Sequence, residues 1–213
     1  MPAAEFQLSD WRQRIFDIYR QVRAVARTDP AEAFALWHRE RSKLYYEHPM
    51  SPVSPDKRAR FSDIAAFTYD PALRFIIKVE KQHGEGVIYE LGSDGQLGVE
   101  PFAITKGLID ALGAELTLYR LAGYGGGVFL PFKDATSGKS TYGGGRYLLD
   151  TIKGADLGTD FGGKLVIDFN FAYSPSCAWS PQYVCPLAPE ENIFSMPIEA
   201  GEKTPEASFV SVA

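Results

Sequence analysis

Five short segments rich in β-branched and aromatic residues, set apart by glycines and turn residues with no helical pattern between them, constrain this chain more than any other feature. Leu73 to Val79, Gly86 to Leu91, Ala114 to Tyr119, Gly127 to Phe132 and Lys164 to Phe169 all have strand composition. Ser93-Asp94-Gly95 is a favourable hairpin turn. Strands at this spacing pair antiparallel, and a sheet built from them curls to protect its edges. The expected fold class is therefore mainly β, an antiparallel curled sheet or barrel-like domain.

Two helices precede it. Trp11, Ile15, Ile18, Val22 and Val25 recur at steps of three and four after a possible cap at Ser9 or Asp10, leaving Arg12, Arg20 and Arg23 outward. A second helix starts at Asp29, with Pro30 at its first position and Glu32 at capping-box spacing; it carries Phe34, Trp37 and Leu44 on one face and stops at His48-Pro49. Prolines and serines from Met50 to Pro55 form a linker. After the last strand the chain is proline-rich but too aromatic to be disordered, so an ordered C-terminal segment packed on the barrel is expected. The expected organisation is one domain: a helical segment at 1–49, the β domain with its C-terminal segment at 50–203, and a tail at 204–213.

Of the 213 residues 45% are apolar, enough for one core burying about 70% of the surface that the unfolded chain exposes. A net charge of −5 argues against nucleic acid or an acidic membrane as partner, because both need a basic face. The first residues lack the basic-then-apolar pattern of a signal peptide, which gives a cytoplasmic expectation. Oligomeric state is not legible.

The run from Asp134 to Tyr147 concentrates hydroxyls, glycines, Lys139 and Arg146. Converging backbone N–H groups, hydroxyl donors and a guanidinium fork can wrap a phosphate or carboxylate. The same residues also suit a long hairpin whose glycines turn the chain while Arg146 pairs with Asp134 or Asp150. Both readings stand on sequence alone. Gly138-Lys139-Ser140 copies the end of a P-loop, but Lys133 stands where its first glycine belongs, and Leu148 breaks a dinucleotide fingerprint built on Gly143 and Gly145.

Cys177 and Cys185 are too far apart for a CxxC pair or a zinc ribbon and have no histidine nearby in sequence. They read as buried thiols, a local disulfide or, less simply, a nucleophile. His38, His48 and His83 suit packing or solvent better than metal, and no metal site is assigned. Asp168 and Asn170 share one face of the last strand and can form a pocket wall or cap the following turn.

From Phe132 to Leu148, and through Asp168-Phe169-Asn170, Ala172-Tyr173, Cys177-Ala178, Cys185-Pro186-Leu187, Asn192 and Pro197 to Lys203, the chain strongly resembles domain-of-unknown-function family 1684. Trp37, Arg39 to Arg41, His48-Pro49, Phe61, Asp70-Pro71 and Arg74-Phe75 look like its shorter members. Ser174, Ala188 and Ile193-Phe194 depart from the usual pattern. The resemblance implies no named activity and no cofactor. It marks Asp134, Thr136, Ser137, Thr141, Tyr142, Arg146, Asp168, Asn170, Tyr173, Asn192 and Glu202 as motif positions that are polar without an evident fold reason, and it implies that Cys177 and Cys185 act together.

The functional expectation is a binding site for an anionic small molecule, carboxylate or phosphate, between the 134–146 loop and the 168–202 segment. There Thr136, Ser137, Thr141, Arg146, Asn170, Asn192 and Glu202 would contact the ligand. The alternative is an enzyme of hydrolase or isomerase type in the same pocket, with Asp134 or Asp168 as base and Tyr142 or Tyr173 as acid. A third reading makes the polar motif a structural network alone.

Overall fold

The computed structural model describes residues 3–210. Two helices, α1 (Ala4–Val25) and α2 (Pro30–Glu47), lead into a short helix α3 (Pro55–Arg58) and then seven strands: β1 (Arg74–Lys81), β2 (Val87–Glu90), β3 (Gln96–Lys106), β4 (Thr117–Leu121), β5 (Gly127–Phe132), β6 (Arg146–Asp150) and β7 (Leu165–Asp168). A further short helix, α4 (Ile109–Leu112), joins β3 to β4. All strand pairs are antiparallel in the order β6-β5-β4-β3-β1-β7, with β2 beside β3. Beyond β7 the chain returns to β6, where Tyr147 and Tyr173 exchange backbone hydrogen bonds of 2.9 and 3.0 Å. That contact nearly closes the sheet into a barrel, in agreement with the expected mainly β class and its two leading helices.

Burial on both faces of the sheet explains why much of it does not alternate in sequence. Inside, Ile77, Leu118, Leu130, Phe132, Leu148, Ile167 and Phe169 form one core. Outside, the helical hairpin covers Val99, Tyr119, Leu121, Phe129 and Tyr147 with Ile15, Ile18, Tyr19, Val22 and Trp37. Strand β6 is buried along its whole length, so it lacks the half-polar signature of an exposed strand. Trp37 is fully buried, donates to the Tyr19 hydroxyl at 3.1 Å and packs edge-on against Phe171; truncating a residue of this kind typically costs about 3–5 kcal/mol.

Two strands were not expected from sequence. β3, eleven residues long, contains Gly98 and Pro101, and its register with β4 shifts between Pro101 and Ala103. Proline lacks the ladder donor and is tolerated at such irregularities. β6 begins inside the Gly-rich run. In α2 the Asp29 side chain accepts from the Glu32 N–H at 3.0 Å, the expected cap. α1 instead begins at Ala4, ahead of Ser9 and Asp10; the Asp10 carboxylate, inside the helix, accepts from Arg14 and His48, both at 2.9 Å. No helix among the described residues is long and apolar enough to cross a membrane.

The linker after α2 is held to the body: Val53 is fully buried with Phe61, Ile64 and Trp179, and the Ser51 hydroxyl donates to the Tyr45 carbonyl at 2.6 Å. Of the tail expected at 204–213, Phe209 lies edge-on to Phe61; residues 211–213 fall outside the described range.

Candidate functional site

The Gly-rich run is the connection between β5 and β6, a hairpin whose loop folds back on itself. Gly138 N–H donates to Thr141 O at 2.9 Å, Ser137 N–H to Asp134 O at 3.0 Å, and the Thr136 and Thr141 hydroxyls meet at 2.8 Å. Asp134 Oδ2 accepts from Ile198 N–H (2.7 Å), Thr136 N–H (3.2 Å) and the Thr136 hydroxyl (2.7 Å). Its other oxygen takes Arg146 at 3.4 Å. At Gly145, φ is +91° and an added Cβ would press on the Phe132 carbonyl, so only glycine brings the chain into β6 here.

Arg146 is completely buried. Its guanidinium donates to three carbonyls of the C-terminal segment, Ala200, Ile198 (2.9 Å) and Glu202 (3.3 Å), as well as to Asp134. Burial lowers its pKa, and the carboxylates of Asp134 and Glu202 work the other way. The planar five-donor fork suits this task because it satisfies several fixed acceptors at once. The 134–146 and 168–202 segments therefore meet, and what fills the space between them is protein.

Other motif residues play parallel parts. Asn192, fully buried, accepts from Thr117 N–H (2.8 Å) and donates to Thr117 O (2.9 Å) and Pro131 O (2.8 Å), joining the C-terminal segment to β4 and β5. Glu202 accepts from Arg41 at 2.5 Å with one oxygen and from Ser174 N–H at 2.8 Å with the other. Burial disfavours the charged form of Arg41, but Glu202, Tyr45 and Tyr19 together outweigh it and the pKa rises. Asp168 accepts from Asn170 side chain and backbone at 2.8 and 3.0 Å and from Arg74 at 3.1 Å. Burial still raises its pKa. Asn170 exchanges two 2.8 Å hydrogen bonds with the Asp70 backbone.

Tyr173 is buried under the Arg41 guanidinium, 4.8 Å from its ring centre, and its hydroxyl has no partner among the described residues. Burial carries its pKa well above the ordinary value. Ser137 and Tyr142 are half-buried, and Lys139 is exposed.

Sequence reasoning did not single out Arg41 or Arg74 as site residues. Arg41 had a signal, for it follows Trp37 and precedes Tyr45 at four-residue steps on the buried face of α2. A cation on an apolar face must find an anion. Arg74 had none beyond its place in the family motif.

Cys177 and Cys185 are free thiols, each half-buried. They hydrogen-bond one another, and the Tyr142 hydroxyl donates to Cys177 Sγ at 3.5 Å. Receiving from Cys177 pulls the Cys185 thiol down to about 6, with smaller help from the N–H groups of Cys177 and Ser176 and from Lys153; Cys177 is pushed up correspondingly. Tyr142 is pushed up by burial and by its thiol partner. Among the described residues no three His, Cys, Asp or Glu side chains converge as a metal site would require.

Among the clefts on the described surface are three lined by none of the eleven polar motif positions that the resemblance marks. One, of about 500 Å³, lies between the end of α1, β1 and the 157–161 loop, and four arginines line it: Arg20, Arg23, Arg27 and Arg74. Arg23 donates to Asp156 O at 2.9 Å and to its carboxylate at 3.4 Å, and Arg74 is held by Asp168. Arg20 pairs with Asp17 at 3.3 Å. Among the described residues Arg27 meets no carboxylate within ion-pair distance; its guanidinium sits 4.2 Å from the ring centre of Phe161, which is 91% exposed. Ile76, Leu157 and Val166 supply apolar wall, and Asp160 is the one acidic residue in the lining.

Comparison with known proteins adds little chemistry. Residues 59–203 match the family described as protein of unknown function (DUF1684). An uncharacterised protein of Haloarcula marismortui, solved by solution NMR, is similar in structure: TM-score 0.53, 31% identity, 78% of this chain and 90% of that one covered. No curated protein matches.

Proposed function

The chain belongs to the DUF1684 family, and from that premise and the site geometry we propose that it binds a small anionic molecule with an apolar body in the arginine-lined cleft. The carrying observation is that four arginines line one cleft of about 500 Å³ on a chain of net charge −5. Its size falls in the range of about 300–1,000 Å³ usual for ligand pockets. Asp156 and Asp168 pair with Arg23 and Arg74 and orient them, and among the described residues Arg23 bonds through Nη1 alone, leaving donors for a ligand. Arg27 and Phe161 form the exposed lip, an arrangement suited to a carboxylate or phosphate on an aryl or alkyl group.

In the same reading the polar motif is a fastening for the C-terminal segment rather than the ligand cradle. Both Asp134 oxygens and both Asp168 oxygens are committed to donors inside the protein, which leaves neither free to act as a base. The ligand class expected from sequence is kept, and its place moves to the cleft at the C-terminal end of α1.

Calorimetric titration with phenyl phosphate, benzoate and benzyl alcohol tests this. The two anions should bind and the alcohol should not, and Arg27→Ala should weaken the anions about tenfold, the loss of one charge-assisted contact. Equal binding of all three probes, or none by either anion, overturns the reading.

A further inference from the structure

We propose that Cys177 and Cys185 form a reversible dithiol–disulfide site for low-molecular-weight disulfides of the glutathione class, with Cys185 the attacking sulfur and Cys177 the resolving one. Two sulfurs eight positions apart in the chain come close enough for each thiol to perturb the other, and both flanks are fixed. On one side Trp179 is 1% exposed against Tyr45 and Phe61. On the other the Tyr147 hydroxyl, buried, donates to Pro186 O at 2.6 Å. A bridge can therefore close without the loop having to be found by diffusion. Both cysteines are half-buried rather than enclosed.

The two sulfurs are not equivalent. Cys185 receives the Cys177 thiol and backbone N–H groups, with Lys153 near, and its pKa is drawn down to about 6. Cys177 keeps its proton and has the Tyr142 hydroxyl as donor at 3.5 Å.

The steps balance. The Cys185 thiolate attacks one sulfur of the disulfide RSSR, the S–S bond breaks, and a mixed disulfide forms as RS⁻ leaves. Cys177 then loses its proton to that thiolate and attacks Cys185 Sγ; the protein bridge forms and a second RS⁻ departs, to be protonated by solvent. The protein dithiol is oxidised by two electrons and RSSR is reduced to two thiols. Tyr142 thereby loses its thiol acceptor, so oxidation reports directly on the motif loop.

The full chain is equilibrated with mixtures of oxidised and reduced glutathione, quenched with acid, alkylated and weighed intact. Wild type should lose two hydrogens and both alkylation sites together, reversibly. Cys177→Ser should stop at a glutathione adduct on Cys185, while Cys185→Ser should gain its adduct at least about threefold more slowly, since thiolate fraction outweighs the lower nucleophilicity of an acidic thiol. If wild type never bridges in oxidised glutathione while native protein still alkylates at both positions, the proposal fails. Equal adduct rates in the two variants overturn the division of roles. The wild-type measurement stands even if a variant folds poorly.

Discussion

Replacing Asp134 by Ala separates a fastening from a ligand cradle most sharply. Asp134 is 5% exposed and its partner Arg146 is fully buried. Removing one member of a buried ion pair costs about 3–5 kcal/mol, because the other charge stays behind without compensation. Here the carbonyls of Ala200, Ile198 and Glu202 already share the guanidinium charge, which favours the low end, about 3 kcal/mol. The N–H groups of Ile198 and Thr136 also lose their acceptor, adding about 1 kcal/mol each. The total, about 5 kcal/mol, corresponds to a fall in melting temperature of about 10–20 °C at 2–4 °C per kcal/mol for a domain of this length. Thermal unfolding followed by circular dichroism measures it, with exposed Lys139→Ala as a control expected within about 0.5 kcal/mol of wild type. A loss under about 1 kcal/mol would refute the fastening, since a solvated cradle loses little when an empty carboxylate is removed.

Other expectations follow from the same contacts. Asn192→Ala should destabilise by about 3 kcal/mol in urea titration, because Thr117 and Pro131 backbone groups are left unpaired in the interior; an unchanged midpoint contradicts this. Gly201→Ala should cost at least about 2 kcal/mol, since φ is +73° and a Cβ would collide with the Ala172 and Phe169 carbonyls. Limited proteolysis of that variant should release the C-terminal segment first. The Cys185 alkylation rate should rise with pH through a midpoint near 6, because the reactive thiolate populates above its depressed pKa, and Cys177→Ser should move the midpoint upward; a midpoint at the ordinary thiol value in wild type would contradict this assignment. Phe161→Ala should leave the melting temperature within about 2 °C of wild type, the ring being solvent-exposed, while weakening aryl anions in calorimetry. A large melting shift would make that loop structural.

The sequence by itself determined the mainly β class, the helical pair and the cap at Asp29, because each depends on local pattern: strand composition between turns, apolar residues at helical steps, a carboxylate three residues before an N–H. It also carried the family motif, and with it the polar residues that tie the 134–146 loop to the C-terminal segment. What lay beyond it depended on both faces of the sheet being covered. β6 is buried throughout and so has no alternation to find, and Gly98 and Pro101 hide β3, whose irregular register tolerates them. A buried Arg146 and a ligand-gripping Arg146 have the same neighbours in sequence. Only the return of Ile198, Ala200 and Glu202, more than fifty residues downstream, puts carbonyls where a ligand would sit. The same holds in reverse for α1: periodicity puts Arg20 and Arg23 on its outward face, but outward from a helix is not outward from the molecule. Tertiary packing of β1 and the 157–161 loop turns that face into a cleft, because distant segments, unlike neighbours along a helix, leave no trace of one another in local spacing.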